Sequence, residues 1–414
     1  MGKILIKQVQ DIHGNVTDVE IESDYNIVID GKGLTCLPAL IDTHVHFRQP
    51  GHEAKEDWGT ASQAAVAGGV TTVIDMPNNQ PPCVTFENLE AKKRRIDRKL
   101  ASVDIPLRYH LYFGADRNHF DEIAKCRDEI AGVKVFMGSS TGTLLVDKQK
   151  DLEHVFELAA ALDLLVSVHA EDEEIISANQ NLHASTTDPS VHSKIRHPDA
   201  ARAATERAIA LAEKFGTRLC ILHMSTAAEV DLVRQAKARG VQVFAEATPH
   251  HLFLDERDYS QLGTKGQMNP PLRAKVDQEA LWVGIQDGTI DFIGTDHAPH
   301  TLDEKHQPYG VAPSGVPSIE QLLPLLLDAY NRGMLTLPQI VKLTRTRAEE
   351  VFRLAPHSDV VLVDLNLEKC VDDGELKTKC QWSPYHGRKL KGWPVCTILK
   401  GNLYEVEEVS CQKN

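Results

Sequence analysis

Short apolar runs rich in β-branched residues recur along the middle of the chain, at 37–42, 71–76, 107–112, 133–137, 164–169, 218–223, 241–247 and 291–295. Between most of them apolar residues return every three or four positions, as in 57–67, 86–100, 152–162, 200–215 and 227–239, which is the spacing of one helical face. Strands that alternate with helices imply a parallel sheet covered on its faces. Eight such strands are the number that closes a barrel, so the expected fold class is α/β, a TIM-like (β/α)8 barrel.

The ends of the chain carry a different pattern. Segments 3–9, 16–22 and 26–29, and then 359–363, 395–400 and 402–406, are short alternating stretches broken by Gly and Asp. Neither end has enough apolar residues to bury a core by itself. The expectation is therefore that 1–37 and 355–414 pair into one composite β-sandwich beside a barrel spanning 38–354, with crossings at 34–38 and 355–358.

Length and composition agree with this division. The 414 residues allow several domains or one large barrel with an attachment, and the pattern selects the second. Forty-five Lys plus Arg against 59 Asp plus Glu give a net charge of −14, which excludes a surface built to neutralise nucleic-acid phosphates or anionic lipid. A small anionic substrate met by a local Arg stays open. Eight Cys without a Cys-x-x-Cys pair exclude a zinc knuckle or a dithiol redox motif and read as reduced thiols. The first residues lack the apolar stretch of a signal peptide and no window approaches a membrane span, so the expected location is cytoplasmic.

Nineteen His residues make a metal site worth seeking. Asp42-Thr43-His44-Val45-His46 closes the first barrel strand, and side chains two apart on an extended segment point the same way. At the C-terminal mouth of a barrel that direction is the active site. His169 ends the fifth strand, His223 the sixth and Asp296 the eighth, so four imidazoles and a carboxylate share one structural level. Lys134 is the odd member, an ammonium inside Gly132-Val133-Lys134-Val135-Phe136. An uncompensated buried Lys tends to become neutral, and a neutral amine near metals can take up carbon dioxide as a carbamate. The other reading is a Lys that reaches solvent or pairs with an acid.

With these residues in view the chain resembles the amidohydrolase superfamily, and within it the dihydroorotases, which interconvert N-carbamoyl-L-aspartate and L-dihydroorotate in pyrimidine synthesis. The resemblance runs from Asp42-Thr43-His44-Val45-His46-Phe47-Arg48-Gln49-Pro50-Gly51 through Asp75-Met76-Pro77-Asn78-Asn79 and Met268-Asn269-Pro270-Pro271-Leu272-Arg273 to Thr295-Asp296-His297-Ala298-Pro299-His300. It implies two zinc ions, one held by His44, His46 and Asp296, the other by His169 and His223, with carboxylated Lys134 between them. It further implies a hydroxide between the metals as nucleophile and Asp296 as general acid and base. Arg48, Asn78 and His300 would take the substrate carboxylate, Asn269 the ring, and Gly315 would offer backbone groups to the ring.

Two positions depart from the family. Many single-chain bacterial dihydroorotases have Asp where this chain has Lys134, and Ala312-Pro313-Ser314-Gly315 stands where relatives often read Ala-Pro-Phe-Gly. The competing readings are a hydantoinase or allantoinase, which would share the metal ligands but has no substrate carboxylate for Arg48, and a non-catalytic scaffold for aspartate transcarbamoylase. The resemblance also implies a homodimer, with aspartate transcarbamoylase as a candidate partner. Three conspicuous stretches have plainer readings. His250 and His251 are expected to hydrogen-bond within the barrel mouth, Lys92-Lys93-Arg94-Arg95 to form a solvated helix face, and Gly138-Ser139-Ser140-Thr141-Gly142 to be an active-site loop rather than a phosphate loop.

Overall fold

The computed structural model describes residues 2–140, 142, 144–407 and 411–413; Met1, Thr141, Thr143, 408–410 and Asn414 lie outside the described residues, Thr141 of the expected loop among them. The strands are β1 (Gly2–Gln10), β2 (Val16–Ser23), β3 (Ile27–Asp30), β4 (Thr35–Pro38), β5 (Leu40–Val45), β6 (Val70–Asp75), β7 (Arg108–Gly114) and β8 (Gly132–Phe136). They continue with β9 (Leu165–His169), β10 (Arg218–Ile221), β11 (Val243–Ala247), β12 (Phe292–Ile293), β13 (Val360–Cys370), β14 (Lys389–Leu399), β15 (Asn402–Glu405) and β16 (Cys411–Lys413).

Strands β5 to β12 form one parallel sheet in chain order. Every residue of β5, β6, β8 and β9 is buried, as expected of parallel strands sandwiched between a packed interior and an outer layer of helices. Between β12 and β5 the ring is joined by few backbone contacts. Val45 bridges His297, and the Asp42 carboxylate accepts from the Thr295 N–H at 2.9 Å and from its hydroxyl at 2.5 Å. The closure is thus made at the mouth of the barrel, beside the residues that carry chemistry.

Local sequence sets the helices. Asp57 caps Trp58–Ala67 by accepting from the Gly59 and Thr60 N–H groups, and Thr85 caps Phe86–Val103 through the Asn88 N–H. Helix Pro198–Phe215 begins with Pro and ends at Gly216, whose φ of 72° is a conformation that glycine adopts without strain.

The two chain ends meet in a second, curled sheet of order β15-β14-β13-β4-β1-β3-β16, with β2 paired to β1. Its own core contains Ile4, Ile6, Val9, Ile29, Leu362 and Ile398. The inward register of β1 runs 4, 6, 9 rather than 4, 6, 8, because Gln8, at φ 53°, is an extra residue at the register shift against β2. The apolar run at 37–42 is not one strand. Thr35–Pro38 pairs with β13 in the terminal sheet, and Leu40–Val45 opens the barrel after Ala39. Among the described residues no helix is long and apolar enough to cross a membrane.

Candidate active site

His44 sits within β5 and His46 just past its end, and both rings turn to the Asp296 carboxylate. His44 Nε2 lies 3.2 Å and His46 Nε2 3.0 Å from Asp296 Oδ1. The outer nitrogens explain the orientation. His44 Nδ1 meets the Glu246 carboxylate at 2.7 Å, and His46 Nδ1 meets Asn78 Oδ1 at 2.8 Å. Both partners accept, so each Nδ1 carries a hydrogen and each Nε2 faces the same carboxylate oxygen. Burial, against the pull of Asp296, holds the His46 imidazole down to about 4, so near neutral pH no proton stands between ring and carboxylate. Ligand atoms of His44, His46 and Asp296 all lie within 4.8 Å of one another, a spacing in which one metal ion fits between them.

The second pair faces the same cavity. His169 ends β9 and His223 lies two residues beyond β10, with His169 Nδ1 and His223 Nε2 3.0 Å apart. The remaining nitrogen of His169 lies 2.9 Å from Glu171, again an outer carboxylate holding a ring in place. Lys134 is 1% exposed, and its ammonium lies over the Phe136 ring, 4.6 Å from the centroid. It makes no ion pair among the described residues. Burial, against the pull of Asp296 and Glu246, lowers its pKa to about 8. Of the two readings left open by the sequence, a Lys that reaches solvent or pairs with an acid is not what the structure holds.

Around these groups lie Arg48, Asn78, Ser140, Asn269, Ala298, Ser314 and Gly315, all lining the cavity with the five metal-ligating candidates and Lys134. Arg48 is 4% exposed; its Nε donates to Pro299 O at 3.0 Å, and Nη2 lies 3.1 Å from His300 Nε2. Its guanidinium has no carboxylate within ion-pair distance among the described residues. His300 itself does not line the cavity. It stands behind Arg48, buried, between that guanidinium, Ser314 O and the Lys55 ammonium. Asn78 has a second duty, since its Oδ1 holds His46.

Three of these residues occupy the left-handed region without being glycine: Arg48 at φ 62°, His223 at 39° and Asp296 at 47°. Such conformations cost on the order of 1–3 kcal/mol each and persist where surrounding contacts over-determine them. His223 and Asp296 lie past their strands, not at the ends expected from the apolar runs, and the positive φ is what turns each side chain back into the mouth. Asp296 is ionised here. Burial alone would raise its carboxyl, but His44 and His46 outweigh it and hold it well below the usual range.

Several expectations are corrected. Lys92 does not belong to a solvated face: it is 1% exposed, ion-paired with Asp75, and donates to Met76 O at 2.8 Å and Asn79 Oδ1 at 2.7 Å. Asp75 in turn accepts from the Phe47 N–H at 2.7 Å, so one buried pair fixes the backbone beside both Arg48 and Asn78. His251 does hydrogen-bond, to Thr248 and to Pro270 O, but neither ring nitrogen of buried His250 has a partner among the described residues. Sequence reasoning passed over Glu171 and Glu246. The signal for Glu246 was available: a carboxylate inside Val243–Ala247 is as anomalous as Lys134 inside β8.

The Amidohydrolase family model matches residues 35–373. The chain is 37% identical over 391 residues to a protein of Halobacterium salinarum named dihydroorotase, covering 92% of this chain and 87% of that one. Dihydroorotases of Methanosarcina mazei and Bacillus subtilis are each 35% identical, over 96% and 92% of this chain and 90% and 89% of their own. Among solved structures, the L-hydantoinase (dihydropyrimidinase) of Arthrobacter aurescens superposes with a TM-score of 0.91 at 25% identity, covering 100% of this chain and 98% of that one.

Proposed function

The chain belongs to the amidohydrolase family and is a cyclic amide hydrolase; from that premise we propose that it is a dihydroorotase, acting on L-dihydroorotate and N-carbamoyl-L-aspartate in pyrimidine synthesis. One observation carries the choice of substrate. Arg48 is a buried cation with no carboxylate within ion-pair distance among the described residues, at the wall of the reaction cavity. Leaving a charge unpaired in such a place is costly, and a substrate carboxylate completes it with charge-assisted hydrogen bonds. An uncharged hydantoin leaves it unpaired. Hydantoinases share the fold at high TM-score, which speaks for the scaffold and the hydrolytic class rather than for the ring.

The donor set of imidazoles and a carboxylate suits zinc, with His44, His46 and Asp296 on one side and His169 and His223 on the other. Bound there, zinc supplies Lewis-acid polarisation of the amide carbonyl and lowers the pKa of water towards neutrality. Lys134 joins this set through its amine. Burial leaves a neutral fraction near physiological pH, and attack of Nζ on carbon dioxide, with loss of one proton, would give a carbamate that adds oxygen donors to this set.

Asp296 holds and moves the proton. Ionised and buried, it accepts a proton from the attacking water and delivers it to the ring nitrogen as the amide C–N bond breaks; in ring closure it takes the proton from that ureido nitrogen. Arg48 orients the substrate carboxylate, with His300 and Pro299 O fixing the guanidinium. Asn78 steadies His46 and faces the same anion, and Asn269 and Gly315 contact the ring. Purified protein is expected to contain close to two zinc per chain and to turn over L-dihydroorotate in both directions. Metal-replete protein with no turnover in either direction contradicts the proposal.

A further inference from the structure

A second cavity shares Asn269 and Ser314 with the reaction cavity and is otherwise lined by residues including Gln180, Tyr309 and His192. Asn269 is therefore a wall between the two, and His192 touches it from the far side. His192 is buried, 5% exposed, and every polar atom of its ring is accounted for. Nε2 lies 3.0 Å from Met268 O and 2.9 Å from Asn269 Oδ1, while Nδ1 lies 3.2 Å from the Tyr309 hydroxyl.

These contacts fix a tautomer. A backbone carbonyl only accepts, so the nitrogen facing Met268 O carries a hydrogen. Burial, followed by the nearby Arg196 charge, holds the ring's pKa down to about 4, so at neutral pH the ring has a single proton and it sits on Nε2. Nδ1 is then an acceptor, and the Tyr309 hydroxyl donates to it. The same Nε2–H meets the Asn269 side chain. An amide nitrogen turned towards it would oppose donor to donor, so Oδ1 faces His192 and the NH2 group faces the other way.

We propose that His192 is a specificity-determining positioning residue: its Nε2–H locks the Asn269 amide so that the NH2 group is presented to the ring, and the site takes rings that offer a carbonyl acceptor there. This rests on the reading of Asn269 as a ring contact given above. A ring with an amino or imino donor in that place meets a donor and is rejected, as a built polar site rejects a mispaired analogue. Cyclic ureides and imides qualify; their amino-substituted counterparts do not.

The test uses full-length, metal-loaded protein. With 15N-labelled histidine, the resonance that disappears in His192→Gln is expected to show the Nε2–H tautomer. His192→Leu removes the donor at similar volume and should raise KM for L-dihydroorotate about tenfold while kcat stays within about threefold, the size expected from one polar contact. His192→Gln, whose amide still donates to Met268 O and Asn269, should keep KM within about threefold. Asn269→Ala probes the underlying reading separately and should raise KM. An Nδ1–H tautomer overturns the proposal, and so does an unchanged KM in His192→Leu when Asn269→Ala raises it. An unchanged KM in Asn269→Ala overturns the assignment of Asn269 to the ring, and the proposal with it. Should His192→Leu fail to fold, the tautomer measurement and the His192→Gln kinetics still decide.

Discussion

Replacing Arg48 by Met isolates the contact on which the choice of substrate rests. Met keeps much of the stem and removes the charge. In the free protein the change relieves a buried cation whose hydrogen-bond neighbours among the described residues are Pro299 O and His300, so stability should hold or rise. In the complex it strands a desolvated carboxylate, and truncating one partner of a buried, hydrogen-bonded charge pair costs about 2–5 kcal/mol. At roughly 3 kcal/mol, kcat/KM for L-dihydroorotate falls about 150-fold. The assay is a cycle over residue and substrate: wild type and Arg48→Met, each with L-dihydroorotate and with dihydrouracil, the same ring without the carboxylate. Dihydrouracil should be a poor substrate for both proteins and nearly indifferent to the substitution, giving a coupling energy of about 2 kcal/mol or more. Equal losses on both substrates, or a loss on L-dihydroorotate under about threefold, refute the assignment of Arg48 to the carboxylate.

Asp296→Asn should lower kcat by about two to four orders of magnitude in protein whose zinc content has been measured, since an amide cannot carry the proton; a normal rate in stopped-flow turnover excludes Asp296 from proton transfer. Lys92→Met leaves Asp75 buried and unpaired and should cost about 3–5 kcal/mol in urea unfolding, where a truly solvated Lys would cost nothing measurable. Glu171 carries a pH signature. Burial raises its carboxyl, but Arg196 and His169 outweigh that and bring it from 4.5 to about 2. A depressed carboxylate contributes stability that is present above pH 4.5 and is lost as pH falls towards 2, here about 3 kcal/mol. In metal-stripped protein the gap in unfolding free energy between wild type and Glu171→Gln should therefore narrow between pH 6 and pH 3; a constant gap contradicts the ionised Glu171–Arg196 pair.

The barrel was legible because its strands are continuous apolar runs, a period that only a doubly covered parallel sheet rewards. His44, His46 and His169 were legible for the same reason: they interrupt or end such runs, and on an extended chain the direction of the side chain follows from the count. His223 and Asp296 were found by residue type and position in the chain. Their aim was not legible, because it depends on a left-handed turn after the strand that no apolar pattern encodes. Lys92 was misread since a run of four cations looks solvated until tertiary packing places Asp75 beneath one of them. His300 was legible as a candidate by its motif. Its place behind Arg48 depends on Lys55, Ser314 and Trp382, brought together from segments far apart in the chain. Glu246 and His192 act through other side chains, and a single sequence holds no record of which side chain a residue will touch.

The central claim is that a metal-dependent cyclic amide hydrolase has been fitted to a ring that bears a carboxylate. Side-by-side kcat/KM values of the zinc-loaded protein for L-dihydroorotate, hydantoin and allantoin test it most directly. L-dihydroorotate should be preferred by about two orders of magnitude or more, the worth of one buried charge pair. Equal or faster turnover of either uncharged ring contradicts the account and assigns the buried Arg48 guanidinium some other partner.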